Sequence, residues 1–236
     1  MFQGYTDGTF EFFMALRFNN NTDFFHANHD WYTRDLREPS LALAAALSDV
    51  IEEIDERLER RPNRVVSRIN RDLRFSNDKT PYRDYLWLAF RPPHERYEST
   101  MCLWFDISAR EGANYGMSFY DYSRPMMNAL RRELTLRPSA FLDAWLPVSA
   151  EFETHGANYK RMNVPDGLDA RLTRFYTAKD FWLRKHIEDE SIVKSPALAD
   201  EIIGGFRRLK PLYQYLAALT PLEDEDNTVE HKETKA

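Results

Sequence analysis

The hydrophobic period of this chain changes twice, and those changes restrict its folds more than any other feature. From Ser40 onward Leu41, Ala44, Leu47, Ile51, Ile54 and Leu58 recur at spacings of three and four, the apolar stripe of one helix. Between Met101 and Ser108 the period drops to two. There Met101, Leu103, Phe105 and Ile107 alternate with Cys102, Trp104, Asp106 and Ser108, the pattern of a half-buried strand. Tyr115, Met117 and Phe119 repeat it after a Glu111-Gly112 turn, and Leu198, Ile202, Phe206 and Leu209 return to helical spacing. Successive strands joined by short turns pair antiparallel rather than through crossovers. The expected class is therefore α+β, an antiparallel β-meander packed by N-terminal and C-terminal helices.

Local signals place the other elements. Residues 9–17 read as a helix stopped by Asn19-Asn20-Asn21, whose side chains compete for backbone hydrogen bonds. Thr22 is the expected cap of a second helix, with Phe25, Tyr32 and Leu36 facing inward and Pro39 ending it. Ser40 then caps the third helix, where Glu53–Arg57 and Glu56–Arg60 form i,i+4 pairs. Further strands are expected at 65–71, 86–91, 158–163 and 180–187. Helices are expected at 123–134 and 139–146, each with a serine cap, and at 196–210, with Pro211 starting a last piece to Leu219. At 236 residues the chain suits one core, so residues 1–220 read as one domain. Residues 221–236 are charged and lack aromatics, the composition of a frayed tail.

Composition removes several function classes. A single cysteine, Cys102, excludes an internal disulfide and a zinc–thiolate site, and it reads as a small buried hydrophobe. No phosphate-cradling glycine loop and no G-x-S-x-G elbow occur among the 8 glycines, which argues against P-loop hydrolysis, dinucleotide redox chemistry and α/β-hydrolase chemistry. His26, His29 and Asp30 lack the partners of a metal motif, so neither a metal nor a cofactor is expected. The first residues show no signal-peptide pattern and no apolar run approaches a membrane span; the cytoplasm is the expected address and no membrane partner is expected.

A net charge of −6 argues against general coating of nucleic acid, yet residues 57–96 hold eleven Lys/Arg against five Asp/Glu. The densest part is 68–83, with Arg68, Arg71, Arg74, Lys79 and Arg83 beside Asp72 and Asp78. If 66–74 is extended, Arg68, Asn70, Asp72 and Arg74 share one face, and Arg71 falls on the core side, where it needs a partner. One reading is an anion site for a phosphorylated or carboxylated small molecule. Arg68, Arg71, Asp72, Arg74, Asp78, Lys79 and Tyr82 form it, joined by Lys160, Arg161 and Asn20 from elsewhere. The alternatives are a nucleic-acid-binding module built on the same basic island, and an ion-pair network with no ligand. Trp87, Trp104, Tyr115 and Tyr120 mark the sheet, and their alternation with Leu and Met places most of them in the core. No residue is assigned a catalytic role, and no oligomeric state is read.

The run Arg71-Asp72-Leu-Arg74-Phe75-Ser-Asn-Asp78-Lys79-Thr-Pro81-Tyr82-Arg83 resembles the RD-x-RF-x-x-DK-x-PYK signature of the bacterial and fungal family catalogued as domain of unknown function 2461, with Arg83 in place of its final lysine. Asn19-Asn20 before Phe24-Phe25, Leu130-Arg131, Tyr159-Lys160-Arg161 with Pro165 and Gly167, and Leu209-Lys210-Pro211-Leu212 are similar to its lesser motifs. Tyr159 stands where that family has leucine, and Pro165 lies farther along than its proline. The resemblance covers residues 2–219 and implies the α+β fold. It implies no reaction.

Overall fold

The structure, a computed structural model, describes residues 1–74, 78–93, 101–119 and 124–220. Among these the chain forms α1 (Asp7–Phe18), α2 (Thr22–Ala27), α3 (His29–Tyr32), a π-helical turn (Thr33–Arg37), α4 (Glu38–Ala46), α5 (Ser48–Ile54) and α6 (Pro62–Val65). Strands β1 (Tyr85–Phe90), β2 (Met101–Ser108) and β3 (Gly112–Phe119) follow, then α7 (Arg124–Leu136) and α8 (Pro138–Trp145). The rest comprises β4 (Glu153–His155), α9 (Thr173–Tyr176), β5 (Phe181–Ile187), α10 (Glu190–Val193) and α11 (Ala197–Ala217). The strands pair antiparallel in the order β1-β2-β3-β5-β4, which makes the fold α+β.

The period of two sorts the sheet into two faces. Leu86, Leu88 and Phe90 of β1, Leu103, Phe105 and Ile107 of β2, and Tyr115 and Met117 of β3 are buried on the face that packs α11. Leu198, Ile202, Phe206, Leu209, Leu212 and Leu216 supply the helix side of that core. The opposite face carries Trp87, then Trp104, Asp106 and Ser108, then Asn114, Gly116 and Ser118, and finally Trp182, Arg184 and His186, aligned by the strand register. Trp87 and Trp104 therefore sit on the second face, each half-buried, while Tyr115 is in the core. Tyr120 lies outside the described residues.

Several helix boundaries differ from the sequence expectation. Asn21, not Thr22, caps α2, its Oδ1 accepting the Phe24 N–H at 2.9 Å. Pro39 does not end a helix. The turn ahead of it widens so that Glu38 N–H bonds Thr33 O, and the Asp35 carbonyl that Pro39 leaves without its usual donor accepts the Thr9 hydroxyl at 2.6 Å. Ser40 is buried inside α4, bonding Leu36 O and Tyr5 rather than capping. Since α5 stops at Ile54, the expected 53–57 and 56–60 pairs do not form; Glu53 meets Arg207 and Lys210, and Arg57 meets Asp55. Pro138 rather than Ser139 opens α8, and Ser123 lies outside the described residues. Pro211 sits within α11 because Leu209 and Leu212 are buried on both sides of it, so packing holds the helix through the proline.

Two expected strands are not regular. Residues 65–71 run beside 81–88 through isolated bridges, Val66 with Leu88 and Asn70 with Tyr82; between them one segment advances four residues and the other six, so no continuous ladder forms. Residues 158–163 contribute only an Asn158–Ala178 bridge, and the edge strand forms earlier as β4. The tail from Pro221 onward lies outside the described residues.

Candidate functional site

The basic segment is tied largely to itself. Arg71 Nη1 meets Asp78 Oδ2 at 2.9 Å, and Arg74 holds Asp72 through Nε and Nη2 at 3.0 and 2.7 Å. The Arg74 guanidinium draws the Asp72 carboxyl down to about 2. Asp78 is lowered first by the Thr80 N–H and hydroxyl, with Arg71 adding a smaller attraction. Lys79 Nζ donates to Leu73 O at 3.0 Å, and Arg83 donates to Arg68 O while lying over the Trp87 ring. Arg68 is exposed with no side-chain partner among the described residues. Lys160 and Arg161 are exposed too, and no hydrogen bond or ion pair joins them to the turn there.

Asn20 and Tyr82 take structural positions. Asn20 Nδ2 donates to Tyr82 O at 2.9 Å and its Oδ1 accepts Tyr82 N–H at 3.0 Å, so the amide imitates a strand partner on the edge opposite the one that faces residues 69–71. The Tyr82 ring is buried in a stack on Phe25 at 4.2 Å. Arg131 works similarly farther along: its guanidinium donates to Tyr176 O and Ala178 O and fastens the segment that feeds β5. His29 rests edge-on against Phe25, and no group of three His, Cys, Asp or Glu among the described residues is arranged to hold a metal. No helix among them is long and apolar enough to cross a membrane.

A cleft of about 630 Å³ lies instead on the second face of the sheet, lined by three indoles, Trp87, Trp104 and Trp182, and by Asp106, Glu111 and Arg184 among others. Asn114, buried at 1% exposure and not itself part of the lining, ties two of the lining residues together. Its Oδ1 receives Arg184 Nε–H and His186 Nδ1–H, both at 2.9 Å, and its Nδ2 donates to Asp106 Oδ1 at 2.9 Å and to Glu111 O at 3.3 Å. The two donors on one side fix the amide orientation and make Nδ1 the protonated nitrogen of His186. Burial pushes the Asp106 carboxyl up to about 6, against the Asn114 hydrogen bond and the Arg184 charge, which pull the other way. Trp104 Nε1 is buried with no acceptor among the described residues. Trp182 stacks on His155, and Trp87 on Tyr85.

Sequence reasoning put its candidate residues on the basic turn and did not single out Asp106, Asn114, Arg184 or the three indoles as one site. The signal was the other half of the same alternation. Trp104-x-Asp106 and Trp182-x-Arg184-x-His186 are runs whose non-core positions are large, charged or amphipathic, and the register sets them side by side.

The sequence model of the family described as conserved hypothetical protein (DUF2461) matches residues 8–215. No curated protein matches the chain.

Proposed function

Because the chain belongs to the DUF2461 family, whose description names no reaction, we propose from the geometry alone that it binds a small organic molecule in the cleft on the second face of the sheet. The observation that carries this is the convergence of three indoles on the Asp106–Asn114–Arg184 chain in one cavity of about 630 Å³. That volume falls within the usual range for small-molecule sites, roughly 300–1,000 Å³, and so does the mixture of aromatic walls with few, oriented polar groups. A carboxyl raised toward neutrality in a cleft is a recurrent mark of such sites.

The anionic ligand expected at Arg68, Arg71, Arg74 and Lys79 has less support, since Asp78, Asp72 and the Leu73 carbonyl already engage three of those cations. A polyanion fits the cleft poorly as well, because Asp84, Asp106 and Glu111 face Arg110 and Arg184 there. Thermal-shift screening of wild type and Trp104→Ala against a metabolite collection tests the cleft. Compounds that raise Tm in wild type and fail to do so in the variant support it. Compounds that act equally on both, or none at all, overturn it.

A further inference from the structure

Resting on that reading, we propose that the cleft's ligand is a neutral polyhydroxylated ring, a monosaccharide or cyclic polyol, whose C–H face lies on Trp104 and whose hydroxyls divide between Asp106 and Arg184. The strand register sets up this arrangement. Asp106 is two residues along β2 from Trp104, on the same face. Arg184 lies in Trp104's own row, with Gly116 between them. Asn114 draws the two together, taking Arg184 Nε–H on its Oδ1 and giving Nδ2–H to Asp106 Oδ1, so both polar groups stand beside the indole row within reach of one ring. Gly116 keeps its own row low. A Cβ there would stand 1.8 Å from the Leu183 carbonyl oxygen, so no side chain rises between the indole and the guanidinium.

Charge narrows the ligand class. Arg184 already shares its charge with Glu111 at 3.7 Å, and its Nε is committed to Asn114. A strongly anionic ligand would meet the Asp106 and Glu111 carboxylates, and a cationic one would meet Arg184 and Arg110. A purely apolar ligand would strip water from Asp106 and Arg184 without replacing their hydrogen bonds, which carries a large desolvation penalty. Hydroxyls avoid all three penalties, because each both donates and accepts. With its carboxyl near 6, Asp106 can accept from a hydroxyl when ionised and donate to one when protonated. Asp106 and Arg184 are held together through Asn114, so they offer an acceptor and a donor side by side, the pair that two neighbouring ring hydroxyls engage.

The experiment titrates the full chain with a panel of neutral monosaccharides and inositols, with adenosine and benzoate as the competing classes, and follows intrinsic tryptophan fluorescence. Trp104→Ala and Asp106→Asn are run beside wild type, with circular dichroism confirming that each is folded. Saturable binding of one or more sugars or polyols is expected, weakened roughly tenfold or more in each variant, as loss of about 1.4 kcal/mol requires. Binding of adenosine or benzoate but no sugar, lost in Trp104→Ala, overturns the polyol and leaves the cleft standing. Sugar binding indifferent to both variants overturns the placement, and no binding by any compound overturns both.

Discussion

Asp106→Asn should make this protein more stable at neutral pH, and by an amount that depends on pH in a defined way. Burial lifts the folded-state carboxyl from its ordinary 3.8 to about 6. Each tenfold change in proton affinity is worth about 1.4 kcal/mol, so holding Asp106 ionised in the fold costs on the order of 3 kcal/mol. The direction follows from linkage. Between 3.8 and about 6 the folded protein binds more protons than the unfolded chain, so stability falls as pH rises. The contribution is complete below 3.8 and gone once pH has passed through 6. Asparagine has no such titration, and its amide oxygen can still accept from Asn114 Nδ2, now 2.9 Å from Asp106 Oδ1. The assay is urea unfolding of both proteins at intervals from about pH 4 to about pH 8, spanning the two proton affinities. Taking the difference between them cancels the acid titration of the other carboxylates. The Asp106→Asn variant should gain on wild type by up to about 3 kcal/mol between about pH 4 and about pH 7 and then level off. For a chain of this size that is roughly 6–12 °C in Tm. A difference that stays flat across this range refutes the argument that the cleft holds its carboxylate at a cost.

Asn20→Ala removes both hydrogen bonds to the Tyr82 backbone and should lower stability by about 1–3 kcal/mol in urea unfolding; no measurable loss would show that the amide does not hold that edge. Gly116→Ala drives a methyl group into the Leu183 carbonyl oxygen and forces β3 and β5 apart, so it should cost more than about 3 kcal/mol or abolish soluble expression; a well-behaved variant of wild-type Tm would contradict the register described. A double-mutant cycle on Arg71 and Asp78 should give a coupling that falls away as salt is added, since half of the Asp78 side chain meets water. A Tm increase with inorganic phosphate that disappears in Arg71→Ala would restore the basic turn as a binding site.

The sequence was read well where period alone decides the outcome. Alternation from Met101 to Ser108 and from Tyr115 to Phe119 specified which side chains enter the core, because a slip of one residue would turn every one of them outward. Boundaries set by tertiary partners were not readable. Pro39 looks like a stop until Thr9, 26 residues from Asp35, takes up the carbonyl that the proline leaves behind. Asn20 looks like a ligand group until its amide is found on Tyr82, 62 residues on. The same distance dependence hid the cleft. Asp106, Asn114 and Arg184 belong to three strands, and only the pairing of β3 with β5 brings the last of them to the others. The charge run at 68–83 is conspicuous because its members, including the Arg71–Asp78 and Arg74–Asp72 pairs, are close in sequence, and short spacing is what makes a cluster visible to a reader of one chain.

The order in which the strands lie has a consequence for how the molecule is made. Asn114 and Arg184 meet across 70 positions of chain, with α7, α8 and β4 emerging in between. During synthesis the first three strands can zip locally, but their outer edge stays unpaired until β5 arrives. Fragments ending before residue 181 therefore carry an unpaired ribbon and lack Trp182 and Arg184 from the cleft, and insertions placed between α8 and β5 delay the closing of that edge. The cavity is the last part of the sheet to exist.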